Sequence, residues 1–376
     1  MTRGFDRAEF AARLDAAQVR MDAAGLGAIL LTTEADLRYF SGFLTRFWES
    51  PSRPWFLILP RAGVPVAVIP SIGAALMRQT WVEDIRTWAA PDPWDDGISL
   101  LADALREVGG PIGLPSGRES HLRMPLDDFE LLKAASGLHF VDDHGIVAAL
   151  RAVKSEAEIA KIARACGIAG RAFDRVPEIA RAGVPLDRVF RDFQRLLLDE
   201  GADWVPYLAG GAGPDGYADV ISPAAETPLA PGDVLMLDTG AVWDGYFCDY
   251  DRNFAVGLPS NSARDAHARL IEATAAGLDA AQVGAQASDV YAAMAAITGG
   301  GEGAGRLGHG LGMQLTEGLS LSAKDDSELR AGMVITLEPG IEVAPGRLLV
   351  HEENIVIRAA GPERLTRFSG PEMPVI

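Results

Sequence analysis

The sequence predicts an α+β protein of two domains: an α/β half over residues 1–148 and a second half over 149–376 in which one α+β unit occurs twice. Three observations predict it. The 376 residues are too many for one ordinary hydrophobic core and comfortable for two. Short apolar runs alternate with helical patterns as far as about residue 148, which implies a layered α/β structure. Beyond that point the order changes to helices, strands, helices, strands, as two copies of one unit would give, although no fixed-period repeat accompanies it.

The elements follow in order. Residues 5–24 show a helical period with Phe5, Phe10, Leu14 and Met21 facing inward. GAILLTT (27–33) is a buried strand, and ADLRYFSGF is a short helix stopped by Gly42. PWFLILP (54–60) and PVAVIP (65–70) flank Arg61-Ala62-Gly63 as a hairpin. SIGAALMRQT is helical, DIRTW is a strand, and 97–108 is helical again. PIGLP and GLHFVDD are strands around a helix predicted over 119–135. Helices are predicted from Glu156 to about Phe173 and over 185–200, then strands over 204–256. Helices recur at 262–280 and 287–297, and strands return at 333–357. The Gly-rich connection 298–308 lacks the spacing of a phosphate-binding loop. RFWESPSRPWF (46–56) is rich in Arg and Trp, suiting either a local core or an interface.

Composition excludes several classes. Charged residues make up 23% and the formal net charge is −18, which repels a nucleic-acid backbone. Two cysteines, Cys166 and Cys248, cannot build a disulfide framework and are expected as small core residues. The first residues lack the apolar core of a signal peptide, and no apolar run reaches the ~18 residues of a membrane span. A cytoplasmic protein with no membrane partner is the expectation.

The stretch LMLDTGAVWDGYFCDYDRNF (235–254) reads as a hairpin around Asp244-Gly245. With a two-residue turn, Asp238 lies opposite Asp251, and Asp249 shares their face. Carboxylates crowded on one face repel unless one is protonated, an arginine such as Arg252 pairs with one, or divalent cations bridge them. Further candidates follow downstream. GHGLG (308–312) sets His309 among glycines, and TLEPG (336–340) ends a strand with Glu338. LLVHEENIVI (348–357) carries His351 and Glu353 on one face and Glu352 and Asn354 on the other. Spacing alone leaves open which pair is interior.

LDTGAVWDGYFCDYDR, GHGLG, TLEPG and HEEN, in this order and with Asp249 11 positions after Asp238, resemble the metal-ligand motifs of the "pita-bread" metallopeptidases. That family includes methionine aminopeptidase, aminopeptidase P and prolidase, with creatinase as a metal-free relative. LTTEADLRYFSGF resembles the creatinase-type N-terminal domain, and LRAVKSEAEIAKI (150–162) resembles the segment that opens the catalytic domain. The resemblance implies a creatinase-type α/β domain over 1–148 and a pita-bread catalytic domain over 149–376. It implies two divalent metal ions (Mn, Co, Fe or Zn): Asp238 chelating one, Asp249 and Glu353 bridging, and His309 and Glu338 on the second. It further implies a metal-bridging water as nucleophile, a small peptide substrate of the Xaa-Pro type, and a homodimer.

Departures from the family pattern bear on the substrate. Thr316 stands where the peptidases carry a second His, and Thr cannot carry a proton near neutral pH. The loop 207–222 holds no His, so Tyr217 and Asp219 are the nearest stand-ins. Asp251 replaces the usual Thr, and His351 is read where many prolidases have Arg. Glu317, Tyr217 and Thr316 are therefore the catalytic candidates outside the metal shell. Alternatives to peptide hydrolysis are another C–N hydrolase, a metal-dependent lyase such as a dimethylsulfoniopropionate lyase, or a binding protein that kept the fold.

Overall fold

The computed structural model describes residues 3–48, 54–299 and 305–376, and the chain separates into two compact units, Met1–Arg151 and Ala152–Ile376.

The first unit begins with helix α1 (Arg7–Ala24), whose Phe10, Leu14, Ala17 and Met21 are buried at helical spacing. Gly25 closes it in the left-handed conformation that glycine tolerates. Strand β1 (Ala28–Leu31) leads to α2 (Glu34–Ser41), capped by the Thr33 hydroxyl and stopped by Gly42 at φ 77°. The predicted hairpin is β2 (Phe56–Pro60) with β3 (Val66–Pro70), followed by the short α3 (Ala74–Met77), β4 (Asp84–Trp88) and α4 (Ile98–Val108). Then come β5 (Ile112–Leu114), α5 (Leu126–Ser136), β6 (Phe140–Asp142) and α6 (Ile146–Ala152). Helix α5 starts at Leu126 rather than at 119, because Pro125 immediately precedes its first turn. The six strands order as β4-β3-β2-β1-β5-β6, with antiparallel neighbours around β2 and parallel pairs at both edges. Trp48 and Trp55 are buried against each other at 6.1 Å, so within 46–56 these two tryptophans pack a core; residues 49–53 lie outside the described residues.

The second unit opens with α7 (Glu156–Asp174), held at its start by a reciprocal capping box between Ser155 and Glu158. Short α8 (Val176–Ile179) and α9 (Leu186–Asp199) follow, then β7 (Trp204–Pro214) and β8 (Asp233–Trp243). Strands β9 (Tyr246–Phe247) and β10 (Tyr250–Ala255) run back antiparallel to β8. Asp244 and Gly245 both have positive φ, 50° and 83°, as a tight two-residue hairpin turn requires. The register is the one this turn predicts: Trp243 pairs with Tyr246 and Asp251 with Asp238. Helices α10 (Asn261–Ala280) and α11 (Ala287–Thr298) come next. The chain ends with β11 (Val334–Leu337), β12 (Gly340–Ala344), β13 (Arg347–Val350), β14 (Glu353–Val356) and β15 (Glu363–Arg364). The helix-strand-helix-strand order is thus as expected. Much of the Gly-rich connection, residues 300–304, lies outside the described residues.

Cys166 and Cys248 are both free and buried. No helix among the described residues is long and apolar enough to cross a membrane.

Candidate metal centre

Five segments of the second unit converge on one buried acidic cluster. β8 brings Asp238, and the segment between β9 and β10 brings Asp249. The Gly308–Gly312 segment brings His309, the end of β11 brings Glu338, and the residue just ahead of β14 brings Glu352. Glycine permits this convergence. A Cβ at Gly308 would lie 2.2 Å from the Thr336 carbonyl oxygen, and one at Gly310 would lie 2.0 Å from that of Glu317. Side-chain-free backbone therefore lets His309 slot between β11 and the following loop.

His309 is held in one tautomer. Its Nδ1 lies 3.0 Å from the Gly310 carbonyl oxygen, which can only accept, so Nδ1 carries the proton. The Nε2 lone pair then points at the acids, 3.3 Å from Asp249 Oδ2 and 4.0 Å from Glu352 Oε1. Burial lowers the imidazole pKa to about 4, so the ring is neutral at pH 7 and free to donate its lone pair to a cation. One ligand atom each from Asp249, His309 and Glu352 lies within 4.8 Å of the others.

The acids are under electrostatic strain. Burial, then the charges of Asp251 and Glu338, pushes Asp238 well above the usual carboxylate range. Burial and the neighbouring Asp238 and Glu338 do the same to Asp249, and burial with Asp249 and Glu338 to Glu352. Glu338 is pushed up to about 7, by burial first and Asp251 second. Buried Asp238 Oδ1, Asp249 Oδ1 and Glu352 Oε1 find no hydrogen-bond partner among the described residues. Four carboxylates, one neutral imidazole and three idle oxygens form a donor set that suits divalent cations.

The expected ligand Glu353 is corrected. Glu353 is fully buried on the opposite side of its strand, where Oε2 accepts from Arg252 Nη2 at 3.0 Å and from the Thr366 hydroxyl. Its Oε1 lies 3.1 Å from His351 Nε2 and accepts from the Ser369 N–H at 3.0 Å. Burial alone would raise its pKa, but Arg252 and His351 outweigh it and hold it low. All its acceptor capacity is spent on cations and donors, so it is a structural anion and Glu352 takes its place in the cluster. The pair Glu352 and Asn354 is the one turned to the site, with Asn354 Oδ1 accepting from the Asp249 N–H at 3.0 Å. Val350, not His351, then stands two residues before the acid that faces the site. His351 instead bridges Asp251 (3.6 Å) and Glu353, which raise its pKa against the effect of burial. Asp251 thus belongs to a charge network with Arg252, His351 and Glu353 behind the cluster.

The catalytic candidates are also revised. Tyr217 is buried in an apolar cluster, and its hydroxyl is taken up by the Val350 N–H at 2.6 Å and by Asn253 Oδ1 at 3.3 Å. It therefore knits β10 to β13 rather than meeting a substrate. Asp219 is exposed and caps its own turn through the Ile221 and Ser222 amides. Glu317 is buried with Lys154 Nζ 2.9 Å from its Oε1, an internal ion pair that engages the carboxylate within the fold. Thr316 is half-buried and accepts from Arg306 Nη2 at 3.3 Å.

Two polar residues at the site escaped the sequence reading. The Tyr207 hydroxyl on β7 donates to Asp238 Oδ2 at 3.0 Å, and burial plus that carboxylate raises its pKa. Only the pairing of β7 with β8 brings them together, so no local pattern could have marked it. Arg306 lies in the approach to GHGLG and carries no signal beyond its three-residue distance from His309.

Residues 160–359 match metallopeptidase family M24, and residues 13–153 match the creatinase/prolidase N-terminal domain. The probable dipeptidase PepE of Mycobacterium tuberculosis is 30% identical over 364 residues, covering 95% of this chain and 94% of that protein. The Xaa-Pro dipeptidase of Pyrococcus horikoshii is 26% identical over 353 residues, covering 92% of this chain and 94% of that protein. Among solved structures, dipeptidase PepE from Mycobacterium ulcerans superposes with a TM-score of 0.84 at 29% identity, covering 99% of both chains. A buried acidic cluster fit for cations, on a chain matched from end to end in sequence and fold, makes this protein a member of metallopeptidase family M24 with a creatinase/prolidase-type N-terminal domain.

Proposed function

We propose that the chain is a dinuclear metal-dependent hydrolase of the Xaa-Pro dipeptidase type, cleaving an amide bond in a small peptide. The observation that carries this reading is the set of three buried, unpartnered carboxylate oxygens beside a tautomer-fixed imidazole. Asp238, Asp249, His309, Glu338 and Glu352 would hold the cations between them. The charges of four carboxylates are balanced by two divalent ions, and one nitrogen among oxygen donors favours Mn or Fe over softer-ligand metals. Such a pair, when bound, supplies Lewis-acid polarisation of the amide carbonyl and lowers the pKa of water.

The chain's own residues set the conditions for that chemistry. Tyr207 fixes Asp238 by donating to one of its oxygens, leaving the other for a cation. Asn354 holds the Asp249 backbone, and Gly310 fixes the face of His309. Thr316 offers a hydroxyl where the family pattern has an imidazole; it orients but does not ferry protons. This last point favours a second reading, a lyase working on the same shell. The relatives named dipeptidase support the first.

One experiment decides between them. Protein loaded with Mn, Co, Fe or Zn is offered Xaa-Pro dipeptides in ¹⁸O-labelled water. Hydrolysis places one ¹⁸O in the new carboxylate. Products without label favour the lyase, and no metal uptake with no turnover sinks both. The proposal also takes in a cytoplasmic homodimer, for which sedimentation of the full chain at twice the monomer mass is the expected result.

A further inference from the structure

Strands β11 and β14 pair antiparallel, with Thr336 opposite Asn354 and Leu337 opposite Glu353. Residues directly opposite each other project to one face. The next residues of that face are Glu338 and Glu352, one step beyond the paired segment on each strand. The face therefore carries two candidate ligands at its end, with a fully buried Thr and Asn immediately behind them.

Those two residues grip the main chain of two further candidate ligands. The Thr336 N–H donates to the His309 carbonyl at 2.8 Å, and the Thr336 hydroxyl accepts from the His309 N–H at 3.1 Å. Asn354 does the same for Asp249 with its side chain alone: Oδ1 accepts from the Asp249 N–H at 3.0 Å, and Nδ2 donates to the Asp249 carbonyl. The Cys166 thiol donates to the same Oδ1 at 3.2 Å, and the Asn354 N–H is taken by the Thr366 hydroxyl at 3.1 Å. Asp249 requires such a partner. The Cys248 N–H bonds inward to the Ala241 carbonyl, so alternation turns the N–H and C=O of Asp249 to the outer edge of the hairpin, in the gap between β9 and β10. Buried main-chain groups left unpaired there would be costly, and the Asn354 amide supplies the missing rung.

The four carboxylates of the cluster repel one another when no cation lies between them. A ligand on a loose segment would swing away, and a cation would bind more weakly by the cost of ordering it again. We propose that Asn354, buttressed by the Cys166 thiol, and its cross-strand neighbour Thr336 are positioning residues that hold Asp249 and His309 in the cation-binding arrangement before any cation arrives. This rests on the metal-dependent reading above. Cys166 then does more than fill the core, because its S–H favours the amide orientation that meets the Asp249 N–H.

The test is Mn binding by calorimetry to wild type, Asn354→Leu, Cys166→Ala, Thr336→Val and Thr336→Ser, at a temperature where circular dichroism shows each protein folded. A general loss of stability leaves the Kd of the folded protein unmoved, whereas a displaced ligand raises it. Asn354→Leu and Thr336→Val should each weaken Mn binding by ~10-fold or more, and Cys166→Ala by ~2- to 3-fold. Thr336→Ser keeps the hydroxyl and should bind Mn like wild type. Amide hydrogen exchange on the metal-free proteins gives a second readout. The Asp249 N–H should be protected in wild type and exchange ~10-fold faster or more in Asn354→Leu, while the amides of β8 keep their protection. Mn binding equal to wild type in either Asn354→Leu or Thr336→Val overturns the proposal and leaves the metal reading standing. A wild type that takes up no Mn overturns the metal reading and the proposal with it. Where Asn354→Leu does not fold, Thr336→Val and Cys166→Ala decide: weakening in both, with Thr336→Ser restored, supports the proposal, and wild-type binding in both overturns it.

Discussion

Replacing Glu352 or Glu353 by Gln changes adjacent residues of one strand and should give opposite results. Glu353→Gln removes the anion between Arg252, which is half-buried, and His351, which is buried with it. Among the described residues, Arg252 and His351 would then have only Asp251 as a nearby anion. Breaking a buried pair of this kind costs about 3–5 kcal/mol. For a unit of 225 residues (152–376), each kcal/mol moves Tm by about 2–4 °C, so a drop of about 6–20 °C is expected. Glu352→Gln removes one of four mutually repelling charges and leaves no cation orphaned, so the metal-free Tm should hold or rise. The order reverses for metal. At Mn concentrations near 100 times Kd, wild type should gain about 2.7 kcal/mol, or about 5–11 °C. Glu353→Gln should keep most of that gain and Glu352→Gln should lose it. Differential scanning calorimetry with and without Mn, together with elemental analysis, reads all four quantities. A Glu352→Gln protein that takes up Mn like wild type, beside a Glu353→Gln protein that takes up none, refutes the assignment.

Three further outcomes are expected. In the metal-free protein Glu338 binds its proton more tightly when folded (about 7) than unfolded (4.5), so its destabilising charge is absent below about 4.5 and fully present above about 7. The difference, 2.5 pKa units or about 3 kcal/mol, should appear as stability gained when the pH falls through this window; a flat profile in Glu338→Gln and in wild type alike would contradict it. Tyr207→Phe removes the donor to Asp238 and should lower metal affinity by about 10-fold or more without unfolding the protein, as a metal titration would show. Lys154→Met leaves Glu317 buried without its cation and should cost about 3–5 kcal/mol in a denaturation curve, and Lys154→Met/Glu317→Leu should recover most of it.

The sequence by itself determined the fold class, the order of elements and the hairpin that carries Asp238 and Asp249. These rest on local physics. Apolar period separates strand from helix, and an Asp-Gly turn allows one register, so Asp238 faces Asp251 before any tertiary contact is known. His309 and Glu338 were legible as ligands only through the resemblance of GHGLG and TLEPG to the metal-ligand motifs of the family, since a His among glycines and a Glu at a strand end have ordinary structural readings by themselves. The tertiary structure alone decided the rest. Alternation divides His351–Asn354 into two faces but cannot say which face meets the hairpin; Arg252, Thr366 and the Ser369 amide, from a neighbouring strand and the C-terminal segment, claim Glu353 and leave Glu352 for the cluster. Tyr217, Glu317 and Tyr207 could not be placed for the same reason. A polar side chain's role is set by the partner that satisfies it once buried, and Val350, Lys154 and Asp238 lie 133, 163 and 31 positions away along the chain.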